Sequence, residues 1–154
     1  MSDPEPIPRP ERDLVKNNRV GSRGGNPHEI LGKRVVKLAA MKKRFLQNPV
    51  NYAITGIEIT TDSTTEKYGD WNSGPESTET SQITFGEDER VTEFVIWAWD
   101  WVDSIQIKTS KQQWHFGGTG GAARKQDIGT GKLVGFDLSA GYRLDSLGSI
   151  FERP

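Results

Sequence analysis

The sequence predicts an all-β fold, and three observations carry that reading. Short runs rich in β-branched and aromatic residues recur from Tyr52 to the C-terminus, and Gly-rich turns separate them with no convincing helical period between. The third observation is a repeat. In EFVIWAWDWVDSIQI (93–107), Phe94, Ile96, Ala98, Asp103, Ser104 and Ile105 correspond to Phe136, Leu138, Ala140, Asp145, Ser146 and Leu147 at one constant spacing. One pattern occurring twice at a fixed offset marks a repeated structural unit. A sandwich, a barrel or a prism satisfies all three.

From the N-terminus, residues 1–18 carry four of the eight prolines within the first ten positions. Proline fixes φ and removes a donor, and little here can be buried. This segment is expected to be a disordered or loosely packed arm ahead of one domain over 19–154, so its deletion should shift the melting temperature by no more than a few degrees. RGGN (23–26) reads as a turn. RVVKLAAMKKRF (34–45) has helix-favouring residues but precedes other strands and is taken as a strand. Its KKR (42–44) is taken as a solvated strand edge, where lysines discourage edge pairing. YAITGIEITTD (52–62) is a strand and residues 63–81 a long polar connection. QITF, RVTEFVIWAW, WVDSIQIKT, QQWHF, KLVGFDLS and RLDSLGSIF follow as strands separated by turns.

Composition excludes several functions. The chain has 154 residues, enough for one domain with a core, and a net charge of −1. Residues 1–47 hold 11 Lys/Arg against 5 Asp/Glu, and the remainder is correspondingly acidic. With no Cys there is no disulfide or thiolate chemistry, and no apolar run matches a signal peptide or membrane span. The expected setting is cytoplasmic, or release by a non-classical route. His28 and His115 are too few and too separated for a triad or a metal cluster. Glycoside hydrolysis needs two carboxylates roughly 5–10 Å apart, whereas Asp103 and Asp145 fall on different repeats. GGTGGAARK (117–125) lacks the helix of a nucleotide loop, and GTGK (129–132) is followed by Leu133 where Ser or Thr would hold magnesium.

GYRLDSLG (141–148), with its Gly-x-x-x-Asp form, together with ITGIEITTD, VDSIQIKT, FGGTGG and RGGN in this order, resembles the jacalin-related lectins over roughly residues 20–153. The resemblance implies a β-prism of three four-stranded Greek-key sheets about a pseudo-threefold axis, and a non-enzymatic protein that binds sugar without a metal or other cofactor. It assigns a carbohydrate site to Gly24, Gly25, Gly141, Tyr142, Arg143 and Asp145. The amides of Tyr142 and Arg143 would hold the ring oxygen and primary hydroxyl, Asp145 would accept from two hydroxyls, and Gly25 would bring a further amide close, with Gly24 beside it. Such chemistry suits a neutral sugar, whose hydroxyls both donate and accept.

The second copy gives a possible second site at Trp99, Asp100, Trp101 and Asp103, facing Gly117 and Gly118. There Trp99 replaces the glycine, and is expected either to adopt an uncommon backbone conformation or to abandon the amide geometry. In the first repeat Thr55 stands where an Asp is wanted, so no third site is expected. The family's uncleaved single-chain members point to mannose- or glucose-type glycans and glycoproteins as partners. Nucleic acid and membrane insertion are not expected, and homo-oligomerisation would supply avidity. The competing reading is a β-prism protein-interaction module whose sugar site is vestigial.

Overall fold

The computed structural model describes residues 13–45, 51–74 and 77–154. All thirteen elements in it are strands. In chain order they are β1 (Leu14–Lys16), β2 (Val20–Gly21), β3 (Asn26–Leu31), β4 (Val35–Phe45), β5 (Asn51–Thr61), β6 (Thr65–Gly69) and β7 (Thr78–Thr84). They continue as β8 (Val91–Ala98), β9 (Val102–Thr109), β10 (Gln113–Gly117), β11 (Ala122–Lys125), β12 (Leu133–Ala140) and β13 (Leu144–Glu152).

Three antiparallel sheets result. One has the order β6-β5-β4-β7, the next β10-β9-β8-β11, and the last β1-β13-β12-β3 with β2 also on β13. β1 pairs with the end of β13 and β2 with Ser146 and Leu147, so together they form one interrupted outer strand. Each sheet is then a central hairpin whose third strand lies outside the second and whose fourth crosses to the far side of the first. The last sheet takes its hairpin from the C-terminus and its outer strands from the N-terminus. This arrangement is the β-prism of three Greek-key sheets that the resemblance implies.

The repeat extends to register. Each hairpin has a bulge near its tip, between Met41 and Lys42, between Trp97 and Ala98, and between Ser139 and Ala140. Bulges of this kind re-aim a strand end, and here they bring Thr55, Asp103 and Asp145 to one end of the prism. The hairpins meet in the interior through Phe94, Phe136 and Phe151, all fully buried, with Phe94 6.0 Å from Phe136 and 6.2 Å from Phe151. Ile54, Ile57, Ile96, Ile105, Leu138 and Leu147 fill the space around them. The strand reading of residues 34–45 holds, and these inward-facing residues explain it: Val35, Leu38, Ala40 and Met41 are buried.

Several expectations need correction. The stretch 63–81 is not a plain connection, because β6 and the start of β7 lie in it, and β3 and β11 were unread as strands. These are sheet edges with mostly exposed side chains, so the alternation that marks a half-buried strand is weak or missing. KKR does not line an edge: β4 runs between β5 and β7. Lys42 pairs with Glu79 at 3.4 Å and Lys43 is buried against Asp70 at 2.6 Å.

The proline-rich arm differs too. Residues 1–12 lie outside the described residues, but 13–18 are docked. Val15 is buried, and the Asn17 side chain donates to Asp127 O, Ser149 O and Ser149 Oγ at 2.9–3.1 Å and accepts from Asp127 N at 2.8 Å. Burying one valine and making these bonds contributes about 4 kcal/mol, so deleting residues 1–18 should lower the melting temperature by about 10 °C. Differential scanning calorimetry of the truncated chain checks this. A shift of only a few degrees would restore the original reading of the arm as dispensable.

Candidate functional site

The site end of the prism is built three times by the same local rule. After each outer strand the chain crosses the tip of its hairpin, and a positive-φ glycine makes the crossing: Gly21 at 130°, Gly117 at 131° and Gly69 at 82°. A Cβ on any of them would strike the carbonyl of Asp145, Asp103 or Thr55 beneath. The following amide then donates to that same carbonyl, Ser22 to Asp145 at 3.0 Å, Gly118 to Asp103 at 2.8 Å and Asp70 to Thr55 at 2.8 Å. Three loops are thereby clamped over three hairpin tips.

In the last sheet this brings together every residue expected of the first site. Gly25 has φ of 77°, and a Cβ there would lie 2.9 Å from Ala140 N and overlap Asp145 Oδ2. Only glycine lets the loop settle against the carboxylate. A Cβ on Gly24 would reach Asp145 Oδ1 at 3.2 Å. Gly141 donates its N–H to Arg143 O at 3.0 Å, closing the turn. Among the described residues the backbone N–H groups of Gly25, Tyr142 and Arg143 meet no protein acceptor, and the Asp145 carboxylate accepts no hydrogen bond. Desolvation lifts the Asp145 carboxyl above its ordinary range, and the Arg143 guanidinium partly opposes the rise. Unpartnered donors and an unpartnered acceptor converge on one open cavity of about 590 Å³.

The cavity wall contains residues that the sequence did not disclose. Arg143 stacks between Trp101 and Phe45, its guanidinium carbon 4.0 and 4.3 Å from the two ring centroids. The Trp101 side chain, expected at the second site, thus lies in the wall of the first, while its backbone stays in the loop before Asp103. Lys43, Thr55 and Asp70 close the far side. Thr55 Oγ1 donates to Asp70 O at 2.9 Å, and the Asp70 carboxylate is taken up by Lys43 Nζ and by Asn72 N at 2.9 Å. Lys43, first among the causes, holds the Asp70 carboxyl below its usual range. Phe45, Lys43 and Asp70 belong to another sheet, so no local sequence signal could have joined them to Asp145.

The second copy is present but with different glycines. Gly121, at φ 87°, would place a Cβ 2.7 Å from Asp103 Oδ2 and 2.6 Å from Ala98 N, repeating the Gly25 geometry. Gly120 takes the place of Gly24, at 3.0 Å from Asp103 Oδ1 on the same construction. Gly117 and Gly118, expected to face Asp103, instead make the crossing behind it. The reason is the loop length: residues 117–121 match 21–25, so the second Gly pair, not the first, reaches the carboxylate. Asn51 Oδ1 supports this loop by accepting from Thr119 N at 3.1 Å.

Trp99 needs neither of the alternatives expected of it. Among the described residues no residue other than glycine has positive φ, and the Trp99 N–H donates to Trp101 O at 3.2 Å as Gly141 does to Arg143. Neither backbone angle nor contact within the protein therefore demands glycine at Gly141, since a Cβ there would meet nothing closer than 3.9 Å. Trp99 is 67% exposed and leans toward β2 and β11, away from Trp101. Asp100 is exposed beside it. Asp103 is buried, which pushes its carboxyl up to about 6; the Trp99 amide opposes the rise and the neighbouring Asp100 adds to it.

Comparison with known proteins fits this geometry. The jacalin-like lectin domain profile matches residues 18–150. No curated protein sequence matches the chain. Among solved structures, the lamprey immune protein superposes with a TM-score of 0.73 at 20% identity, over 91% of this chain and 44% of that one. The present chain thus spans less than half the length of that protein. Calystegia sepium agglutinin gives 0.69 at 18% identity, covering 95% of this chain and 100% of its own. A mannose-binding jacalin-related lectin from Ananas comosus gives 0.64 at 20% identity, covering 90% and 98%. At these identities the superpositions establish a common fold, and the profile match establishes kinship. The chain belongs to the jacalin-like lectin domain family, whose members are non-enzymatic carbohydrate-binding proteins.

Proposed function

We propose that the protein binds mannose- and glucose-type glycans, without a metal, at a site formed by Gly24, Gly25, Gly141, Tyr142, Arg143 and Asp145. The supporting observation is the convergence of three unpartnered amides and one unpartnered carboxylate on a single cavity. Amides can donate to the ring oxygen and primary hydroxyl while the carboxylate accepts from two further hydroxyls, and the charged acceptor gives the stronger bonds. One shallow site of this kind should bind with a dissociation constant of about 1 mM, near −4 kcal/mol. Asp103 with Gly120, Gly121 and the amides of Asp100 and Trp101 forms the second site, and two sites per chain or self-association would raise avidity. A glycan array followed by calorimetry with methyl α-mannoside tests the reading. Binding to no glycan at millimolar concentration would favour the interaction-module alternative.

The donor set supports metal independence. Among the described residues no cluster of three or more His, Asp or Glu could hold an ion. Mannoside affinity is therefore expected to be unchanged in excess EDTA, and loss that calcium restores would refute this.

The two sites should separate by pH. The Asp103 carboxyl, raised by burial to about 6, takes up a proton as pH falls from 7 to 5 and then no longer presents two charged acceptor oxygens. Because the folded state holds this proton more tightly than the unfolded chain, the same protonation adds stability as pH falls from about 6 toward 3.8. The expected result is a calorimetric stoichiometry near two at pH 7.5 and near one at pH 5. Asp103→Asn should give one site at both pH values. A stoichiometry that does not move between them would remove Asp103 from sugar binding.

A further inference from the structure

The prism carries a groove that neither sugar site uses. It lies where the outer strand β2 of the last sheet meets the sheet containing β8 and β11, and its volume is about 390 Å³. Trp99, exposed over two-thirds of its surface, lines it together with Arg19 and Arg124. Ala98, Ala122 and Gly21 line it with small residues.

The charge in the groove is unbalanced. Eight ion pairs are formed among the described residues, and neither Arg19 nor Arg124 is in any of them. Arg124 reaches only the neighbouring Ala123 carbonyl at 3.1 Å, and Arg19 only the Leu138 carbonyl at 3.5 Å. No carboxylate lines the groove. Eight other basic side chains among the described residues, Lys16, Lys37, Lys42, Lys43, Lys108, Lys125, Lys132 and Arg153, meet acids. Two guanidiniums outside any ion pair, lining one groove with an exposed indole, form a recognisable combination. A guanidinium matches a carboxylate or sulfate with two parallel hydrogen bonds, and an indole face covers the apolar C–H face of a sugar ring.

We propose that this groove binds an acidic sugar residue, bearing a carboxylate or a sulfate ester, with Arg19 and Arg124 on the anion and Trp99 on the ring. The inference rests on the lectin reading only for the remainder of the glycan, since Ala98 and Trp99 belong to the loop of the Asp103 site and a glycan seated there can continue into the groove. The groove itself recognises charge, which the neutral-sugar sites do not.

The test is a set of titrations of 15N-labelled protein with methyl β-glucuronide, glucose 6-sulfate, methyl β-glucoside and sodium sulfate, followed through the Trp99 indole N–H and the Ala122 amide. The glucuronide or the 6-sulfate should move these signals, and whichever binds tighter identifies the acid. The glucoside and sodium sulfate should bind at least tenfold more weakly. The double variant Arg19→Gln, Arg124→Gln should weaken the acidic sugar about tenfold, as expected when hydrogen bonds to a charged group are lost. Trp99→Ala, read through Ala122, should weaken the acidic sugar without affecting residual sulfate binding. The proposal is overturned if glucoside binds as well as glucuronide, if sodium sulfate binds as tightly as either acidic sugar, or if the double variant keeps its affinity. Methyl α-mannoside titrated into the same samples reports on Asp145 separately. Its binding should be equal in wild type and double variant, so a failure of the lectin reading and a failure of this one give different spectra.

Discussion

Asp145→Asn is expected to lower the affinity for mannose-type ligands roughly 10- to 150-fold, the equivalent of losing about 1.5–3 kcal/mol in a hydrogen bond to a charged group. The substitution changes one charged acceptor oxygen into an NH2 donor and leaves size and shape nearly unaltered. Stability should be kept, and the argument is electrostatic. Desolvation holds the Asp145 carboxyl above its ordinary range, so the fold disfavours its charge more than Arg143 favours it. A neutral side chain in that place gives up no folding energy. No protein group donates to the carboxylate among the described residues, so none is orphaned by the change. Calorimetry and a thermal melt on one sample decide the matter. Unchanged affinity would move the sugar site elsewhere, and an unfolded variant would make Asp145 a structural turn residue.

Gly25→Val should abolish binding at the same site by a different route. The residue has φ of 77°, which a β-branched side chain adopts only with strain, and the new Cβ would overlap the Asp145 carboxylate and crowd Ala140 N. The loop must lift, carrying the Gly25 amide away and leaving the valine over Asp145. Because this loop is exposed at the end of the prism, the core should survive, with a loss of about 1–2 kcal/mol and a fall of a few degrees in melting temperature. Binding should drop beyond detection at the first site while the Asp103 site keeps its own. Gly121→Val is the mirror experiment, silencing the second site alone. If Gly25→Val bound sugar normally, the Gly24–Gly25 loop would have no part in recognition.

Much of this was legible in the residues alone. Strands of the three central hairpins announce themselves because one face of each fills the interior, which forces apolar residues into runs such as EFVIWA and LVGFDLSA. The Asp103 and Asp145 copies were visible because two hairpins that end in the same bulge need the same residues at the same spacing. The family resemblance, and not this spacing, assigns the Gly24–Gly25 loop to Asp145, and the loop lies against that carboxylate.

Tertiary structure decided the rest. The edge strands β3, β6 and β11 are held by backbone hydrogen bonds while most of their side chains face water, so their sequences record little of the pairing. Val15 and Asn17 look like the end of a disordered arm until β13 offers them a partner strand 132 residues or more away. Which glycine pair of FGGTGG meets Asp103 depended on how much loop the crossing consumes, a length set by the sheets and not by the glycines. Trp101 reads as part of its own repeat, yet Arg143 draws it with Phe45 into the wall of the neighbouring site. Local patterns determine which residues face inward and where the chain turns. The threefold packing of hairpins distant in sequence determines which side chains share a cavity.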